Sequence, residues 1–96
     1  MNRNIGHTIK IEIKKLSEME LTTLNVYSWP IWSCEVSEFP WIYSDKESCS
    51  ILEGKVIVTT DHEEVTIESG DFIVFPKGLS CRWRVLKPIR KHYSFE

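Results

Sequence analysis

The sequence predicts a single all-β domain, an antiparallel β-sandwich or β-barrel with one short helix near the N-terminus. Three observations favour this fold class. Short runs of β-branched and aromatic residues fill the second half of the chain. Turn-forming residues interrupt these runs about every eight residues. No helix-length pattern lies between the runs, which argues against a parallel α/β sheet. Another small barrel, such as an OB-fold, is the alternative architecture.

The length and composition are those of an ordinary globular domain. Ninety-six residues are enough for one hydrophobic core and too few for two, so residues 1–96 are expected to form a single domain. Hydrophobic residues make up 42% of the chain and charged residues 27%, as in typical globular proteins. The net charge of −2 gives no general attraction to nucleic acid or anionic membranes, so neither is expected as a partner.

Targeting features and cysteine content predict a cytoplasmic location. The longest apolar run, Phe72 to Phe75, is far shorter than a membrane span. The N-terminal segment alternates polar and apolar residues, so no secretory signal is expected. The three cysteines, Cys34, Cys49 and Cys81, are odd in number and widely spaced. This pattern argues against a disulfide framework and for a reducing compartment.

Residues 5–25 predict an N-terminal strand followed by a short helix. The segment from Thr8 to Lys14 alternates isoleucine with polar residues, which is typical of a strand with one solvated face. Ser17 can cap the amide of Glu20, and Glu20 can reach back to the amide of Ser17. This capping box predicts one or two helical turns that end near Asn25.

From Glu47 onward the sequence predicts short strands separated by breaks. The predicted breaks are Glu53-Gly54, Thr60-Asp61-His62, Ser69-Gly70-Asp71, Pro76-Lys77-Gly78 and Lys87-Pro88. The predicted strands are Val56–Val58, Val65–Ile67, Phe72–Phe75, Cys81–Leu86 and Ile89–Phe95. Short strands at this spacing indicate an antiparallel sandwich or barrel.

Two segments of the chain resemble the sequence signatures of the cupin superfamily. The spacing of Gly70, Pro76, Gly78 and Cys81 is that of the second signature, and Glu47 with Gly54 fits the end of the first. Both signatures lie within residues 41–85, and the resemblance implies a single-domain cupin jelly-roll β-barrel. The chain is also similar to the small proteins grouped with the cupin domain of ureidoglycine aminohydrolase, through Trp29-Pro30-Ile31-Trp32 and Phe75-Pro76-Lys77-Gly78-Leu79-Ser80-Cys81-Arg82-Trp83.

The chain departs from these signatures at the metal ligands. The two histidines of the first signature are replaced by Trp41 and Tyr43, or by Pro40 and Ile42 in the other register. Cys81 stands where the second signature has its histidine, so that only Glu47 remains of the usual ligands. The three histidines of the chain, His7, His62 and His92, match none of the ligand positions. His62 is expected to be exposed in a turn.

No native metal or other cofactor is expected, because a typical site needs three or more protein donors. Glu47 and Cys81 are weak candidate ligands, since the resemblance places them on facing strands, and Cys49 shares a face with Glu47. A buried cysteine more often behaves as a small apolar residue. Cys81 also has no histidine placed to activate it as a nucleophile.

Glu47 is expected to lie partly buried as a lone acid in a mostly apolar interior, where desolvation favours its neutral form. It is a candidate general acid or base, or an anchor for a cationic ligand. The alternative is a structural carboxylate that is hydrogen-bonded to Tyr43 or to a tryptophan. Trp41, Tyr43 and Trp83 are the bulkiest candidates for the interior, where they either grip a planar ligand or fill the barrel.

An aromatic-rich segment runs from Tyr27 to Tyr43 and contains six of the eleven aromatic residues. Some of these rings must pack outside the lumen, because the first part of the segment belongs to loop or edge structure. The segment is interpreted either as a homodimer surface or as a satellite core.

A basic cluster lies between Lys77 and Lys91 and contains six of the twelve lysine and arginine residues. Arg82 and Arg84 alternate with apolar residues and are interpreted as the solvated face of a strand. Lys77 belongs to the Pro-x-Gly turn and is expected at the barrel mouth. There it either places its ammonium group near the carboxylate of a bound ligand or is a solvated turn residue.

Three functions are compatible with the sequence. The first is a metal-free cupin that binds a small polar metabolite in its lumen. The second is a metal-dependent enzyme similar to ureidoglycine aminohydrolase, although the missing histidines argue against its manganese site. The third is a non-catalytic homodimeric interaction module. The candidate ligand-binding residues are Trp41, Tyr43, Glu47, Cys49, Lys77, Cys81 and Trp83.

Overall fold

The computed structural model describes residues 10–96, which are mostly β-strand. The elements are β1 (Glu12–Lys14), α1 (Glu18–Thr23), a short 3-10 helix (Val26–Ser28), β2 (Ile31–Cys34), β3 (Ser37–Ile42), β4 (Glu47–Thr59), β5 (Glu64–Glu68), β6 (Phe72–Phe75) and β7 (Ser80–Phe95). The predicted all-β class with one short helix is confirmed. Neither helix in residues 10–96 has the length and apolar character required to span a bilayer.

The strands form a single antiparallel sheet that folds into two layers, because β4 and β7 belong to both. In the first layer, the first half of β4 pairs with β6 and with the second half of β7. Strands β1 and β2 extend this layer at its two edges. In the second layer, the other half of β4 pairs with β5, and the first half of β7 pairs with both β4 and β3. This topology is that of a small, partly closed barrel.

An irregular segment centred on Gly54 bends the two long strands from one layer into the other. Glu53 pairs with Arg90 and Lys55 pairs with Lys87, so Gly54 lies opposite two residues of β7. Gly54 has φ of +101°, and a Cβ atom there would lie 2.8 Å from the Ile89 Cα. Glycine is therefore required both for the backbone conformation and for the close approach of β7.

Two of the predicted strand breaks are wrong. Glu53-Gly54 and Lys87-Pro88 lie inside the continuous strands β4 and β7, where they face each other across the bend. Glycine and proline within a sheet also mark bulges, and that is their role at these positions. The other three breaks, at 60–62, 69–71 and 76–78, are confirmed as connections between strands.

The prediction for the N-terminal region is confirmed in part. The amide of Glu20 donates to Ser17 Oγ at 3.1 Å, and the amide of Ser17 donates to Glu20 Oε1 at 2.9 Å, which completes the capping box. The helix ends at Thr23, near the predicted position. Strand β1 begins at Glu12, so Lys10 and Ile11 of the predicted strand lie before it. Thr8 and Ile9 lie outside the described residues. On the predicted apolar face, Ile11 is buried and Ile13 is 39% exposed.

One hydrophobic core fills the space between the two layers. It includes Ile51 and Ile73 from the first layer and Val58, Ile67 and Val85 from the second. All five side chains are at most 3% exposed. The two layers therefore pack face to face, and the space between them also contains the candidate site.

The alternation predicted for the start of β7 is confirmed. Cys81 and Trp83 are buried, whereas Arg82 and Arg84 are exposed. Arg82 Nε lies 2.6 Å from Glu38 Oε2 on the neighbouring strand β3, in an exposed ion pair. This part of the basic cluster is a solvated strand face, as expected.

Candidate functional site

A cavity of about 240 Å³ lies between the two layers. Strand β2, the start of β4 and the end of β7 contribute to its wall from the first layer. Strand β3 and the first half of β7 contribute from the second. Most of the wall consists of aromatic rings, and two of its residues carry charge. The lining residues are Trp32, Phe39, Trp41, Tyr43, Glu47, Trp83, Lys91, Tyr93 and Phe95.

The two charged residues of the cavity form a buried ion pair. Lys91 Nζ lies 2.9 Å from Glu47 Oε2, and the side chains of Lys91 and Glu47 are 6% and 4% exposed. Lys91 is paired in register with Ile51, so its long side chain extends along the sheet to reach the start of β4. Glu47 is therefore not the lone acid expected from the sequence. Among residues 10–96 its hydrogen-bond partner is the ammonium group of Lys91, and not Tyr43 or a tryptophan.

Aromatic rings surround the ammonium group of Lys91. Nζ lies 4.9 Å from the ring centroid of Trp83, 5.0 Å from that of Trp32 and 5.8 Å from that of Phe75. A cation within about 6 Å of a ring face is attracted by the π electrons, and the attraction is larger in a desolvated site. The rings and the carboxylate of Glu47 thus replace much of the water that a lysine ammonium normally binds.

The aromatic rings also contact one another, which fixes the shape of the cavity wall. Phe39 stacks on Trp83 with the ring centroids 6.0 Å apart, and Trp32 meets the same indole edge to face at 5.9 Å. Tyr43 stacks on Phe75 at 4.7 Å. Trp83 and Tyr43 are each 2% exposed. These ring pairs present flat aromatic surfaces to the cavity.

The structure brings four of the seven predicted ligand-binding residues together at the cavity: Trp41, Tyr43, Glu47 and Trp83. Two registers were possible for the residues that replace the signature histidines. Trp41 and Tyr43, from the first register, line the cavity, whereas Pro40 and Ile42, from the second, do not. Trp41 is 48% exposed and Ile42, in the other register, is 68% exposed. Trp41 therefore lies at the rim of the cavity, with Tyr43 at its base.

Two further predicted residues, Cys49 and Cys81, lie in the adjoining core and do not line the cavity. Burial raises the pKa of Cys49 to about 12 and that of Cys81 to about 11. Both thiols are thus protonated at neutral pH and are poor nucleophiles and metal ligands. Burial is the main cause that raises the pKa of Tyr43, and the nearby acidic groups of Glu47, Cys49 and Cys81 raise it further.

The seventh predicted residue, Lys77, does not line this cavity. It is exposed in the turn between β6 and β7 and borders a separate depression with Lys10, Glu12 and Lys46. Strand β6 lies between β1 and β4 in the sheet, so its C-terminal turn is adjacent to β1. This placement favours the interpretation of Lys77 as a solvated turn residue.

Sequence reasoning missed Lys91, the cationic partner of Glu47. Lys91 lies ten residues after Cys81 on β7, so it has the same alternation phase as the buried Cys81 and Trp83. This alternation could have predicted that Lys91 is buried. The strand break predicted at Lys87-Pro88 prevented the alternation from being continued to Lys91. The other cavity residues not predicted are Trp32, Phe39, Tyr93 and Phe95.

The side chains at the cavity do not fit a bound metal ion. No group of three or more histidine, cysteine, aspartate or glutamate side chains converges anywhere in residues 10–96. The carboxylate of Glu47 is bonded to Lys91, whose positive charge opposes a second cation at close range. His62 is exposed, as expected, and His92 Nδ1 lies 2.9 Å from the carbonyl oxygen of Trp29. His7 lies outside the described residues.

Comparisons with known proteins agree with this architecture. The model of the family described as EutQ-like cupin domain matches residues 21–93. A DUF861 family protein from Thermotoga maritima is 52% identical, with a TM-score of 0.89 over 91% of this chain and 100% of that chain. The EutQ protein of Clostridium difficile is 20% identical, with a TM-score of 0.63 over 88% of this chain and 66% of that chain. This last likeness concerns the fold alone.

A search of curated proteins finds no match. The cupin resemblance deduced from the glycine, proline and glutamate spacing is confirmed by the family match and by the Thermotoga maritima relative. The chain belongs to the EutQ-like cupin domain family.

Proposed function

We propose that this protein is a metal-free cupin that binds a small, flat molecule in the cavity between its layers. The observation that carries the proposal is the Glu47–Lys91 ion pair, which lies in the wall of an aromatic cavity with its two side chains at most 6% exposed. Ligand sites characteristically combine an apolar, aromatic wall with a few well-placed polar groups. The cavity has both features.

Stability alone is a poor explanation for the ion pair. Transferring both charges out of water is costly, and apolar side chains of similar volume at the same positions often give an equally stable or more stable protein. The cost is reduced here by the rings around Lys91 Nζ, but the carboxylate has no such compensation from the rings. We therefore attribute the pair to recognition of a ligand.

The volume of the cavity limits the size of the ligand. This volume of about 240 Å³ is below the range of roughly 300–1,000 Å³ that is usual for sites of drug-sized ligands. A molecule built on a single ring fits this space. The stacked and edge-to-face rings of the wall favour a planar one.

The proposal is tested by comparing two matched glutamate variants in a thermal-shift screen of small polar metabolites. Glu47→Gln alters the ion pair in the cavity. Glu53→Gln is the control, because Glu53 also lies on β4 and pairs with Arg90 at 2.7 Å, but the two side chains are 61% and 44% exposed. A ligand that binds the native state raises its melting temperature.

We expect ligands that stabilise the wild-type protein to stabilise Glu53→Gln equally and Glu47→Gln much less. If a ligand raises the melting temperature of all three proteins equally, Glu47 is not part of the binding site. Complete absence of a stabilising ligand in a broad screen, repeated by calorimetry, contradicts the proposal itself.

A metal-dependent reaction similar to that of ureidoglycine aminohydrolase is not favoured by this donor set. The cavity offers one carboxylate, and an ammonium group already neutralises it. Metal analysis of protein purified without added metal addresses this alternative. Near-stoichiometric manganese, iron or zinc contradicts the metal-free proposal.

A homodimeric interaction module is a second candidate, favoured by the exposed apolar residues around strand β3. Val36 is 62% exposed and Ile42 68%, beside the half-exposed Trp41. Strand β3 pairs with β7 and lies at an edge of the second layer. Sedimentation equilibrium tests this candidate, since a monomer at high micromolar concentration contradicts it.

A further inference from the structure

We propose that the Glu47–Lys91 pair selects neutral, planar ligands that carry an N–H group next to a carbonyl, as in a lactam or a nucleobase edge. This inference rests on the proposed function and names the ligand class of the same cavity. It follows from three properties of the site: the hydrogen-bonding groups that the protein leaves unused, the zero net charge of the pair, and the aromatic walls.

The ion pair leaves hydrogen-bonding groups of both kinds free. Lys91 Nζ has three donors, and among the described residues its hydrogen bond goes to Glu47 Oε2. The other carboxylate oxygen, Glu47 Oε1, accepts no hydrogen bond from residues 10–96. The pair therefore presents an acceptor and a donor side by side. A carbonyl next to an N–H is the complementary pattern, since the carbonyl accepts from Lys91 and the N–H donates to Glu47.

The charges of the pair disfavour ionic ligands. An anion at Lys91 must approach the carboxylate of Glu47, which is 2.9 Å from the ammonium. A cation among the aromatic rings meets the ammonium that those rings already contact. In a desolvated cavity such like-charge contacts are strongly unfavourable. A neutral ligand hydrogen-bonds to both charged groups and avoids either repulsion.

The test is a set of one-ring probes measured by isothermal titration calorimetry on the intact protein. 2-Pyridone carries the N–H and the carbonyl, and N-methyl-2-pyridone lacks the donor. Benzoate and benzylammonium are the anionic and cationic probes, and toluene reports on the apolar cavity alone. We expect 2-pyridone to bind about 10- to 100-fold more tightly than its N-methyl form, the usual effect of losing a hydrogen bond to a charged group.

A paired set of double variants separates hydrogen bonding from the bulk of the added methyl group. Glu47→Leu with Lys91→Met removes the ion pair and keeps apolar side chains in its place, a change that folded proteins tolerate. We expect it to bind toluene and to lose the discrimination between the two pyridones. Glu53→Gln with Arg90→Gln removes the exposed pair and is expected to discriminate as the wild type does.

Each contrary result identifies which statement fails. Equal binding of the two pyridones by the wild type, tightest binding of benzoate or benzylammonium, or discrimination that persists in Glu47→Leu/Lys91→Met overturns the inference about ligand class. In all three cases binding of toluene leaves the proposed cavity site intact. If no probe binds, toluene included, the proposed binding function is overturned as well.

Discussion

At the scale of single residues, the Glu47–Lys91 pair dominates the chemistry of the site. Each charge is buried and depends on the other for compensation. Removing one partner leaves the other charged, buried and unpaired, which typically costs about 3–5 kcal/mol. We therefore expect Glu47→Leu and Lys91→Met each to lower the free energy of unfolding by roughly that amount.

The double variant Glu47→Leu/Lys91→Met is expected to recover most of this loss, because no unpaired charge remains in the core. Urea denaturation of the wild type, both single variants and the double variant gives the coupling energy directly. Two single-variant losses that simply add in the double variant show that the side chains do not depend on each other.

The free thiols give a second prediction at this scale. Burial holds the pKa of Cys49 at about 12 and that of Cys81 at about 11, so their thiolate fractions are very small at neutral pH. Cys34 is partly exposed. We expect iodoacetamide at pH 7.5 to label Cys34 first, by mass spectrometry of peptide digests, and to label the two buried cysteines only after denaturation. Fast stoichiometric labelling of Cys81 in the native protein contradicts this expectation and reopens a nucleophilic role.

The site was partly predictable from the sequence for a reason that these residues illustrate. Trp41, Tyr43 and Glu47 were identified because they occupy positions where the cupin signatures have ligands, and Trp83 by strand alternation. Lys91 was missed because the break predicted at Lys87-Pro88 interrupts the strand alternation, and because a lysine late in a basic cluster is normally solvated. Its burial depends on a partner more than forty residues away in sequence, and such a pairing is not visible in local patterns.

At the scale of elements, the bend shared by β4 and β7 determines the fold. Gly54 meets β7 so closely that an alanine Cβ would overlap the backbone at Pro88 and Ile89, and its φ is +101°. Gly78 also has positive φ, +89°, but a Cβ there would have no neighbour within 4 Å. The two glycines thus separate the effect of crowding from that of backbone conformation.

We expect Gly78→Ala to lower the free energy of unfolding by about 1–2 kcal/mol, the usual cost of a left-handed non-glycine residue. Gly54→Ala is expected to be considerably more destabilising, because the two strands must also move apart and the bulge between the layers must rearrange. Equilibrium denaturation of the two variants provides the comparison. Equal losses indicate that the backbone at Gly54 relaxes without disturbing the bend.

The same region shows which elements could be predicted from the sequence and which could not. The turns at 60–62, 69–71 and 76–78 and the capping box at Ser17 depend on local chemistry and were correct. Glycine and proline signal turns as well as bulges, so the sequence pattern wrongly predicts strand ends at Gly54 and Pro88. Only the pairing of the two strands, which is a long-range property, distinguishes these two uses.

At the scale of the whole molecule, the bend brings the cavity-lining strands together. Because β4 and β7 cross from one layer to the other, Trp83 in the second layer faces Trp32 and Lys91 in the first. The ion pair, the buried phenol of Tyr43 and the two protonated thiols consequently share one interior. Titration of the phenol and of the two thiols couples to the stability of the whole fold.

This coupling predicts a loss of stability in alkaline solution. An unperturbed cysteine has a pKa of 9.0, whereas burial raises the pKa of Cys49 to about 12 and that of Cys81 to about 11. Above pH 9 the unfolded chain therefore loses thiol protons that the native state retains, so unfolding releases protons and the free energy of unfolding falls as pH rises. The contribution of the thiols is fully present below pH 9 and is lost between pH 9 and about pH 12. Tyr43, whose pKa burial also raises, acts in the same direction.

The slope of stability against pH is the quantity to measure, by urea denaturation at pH 7.5, 9, 10 and 11. We expect Cys49→Ala to be less stable than the wild type at pH 7.5, because it leaves a small void, but to have a shallower decline above pH 9. For the fully buried Cys49 the difference in slope is on the order of 1 kcal/mol per pH unit. Cys34→Ala is the control and is expected to decline in parallel with the wild type. Parallel curves for Cys49→Ala and the wild type mean that water reaches the thiols before the fold opens, in which case the interior around Glu47 and Lys91 is more hydrated than its burial indicates.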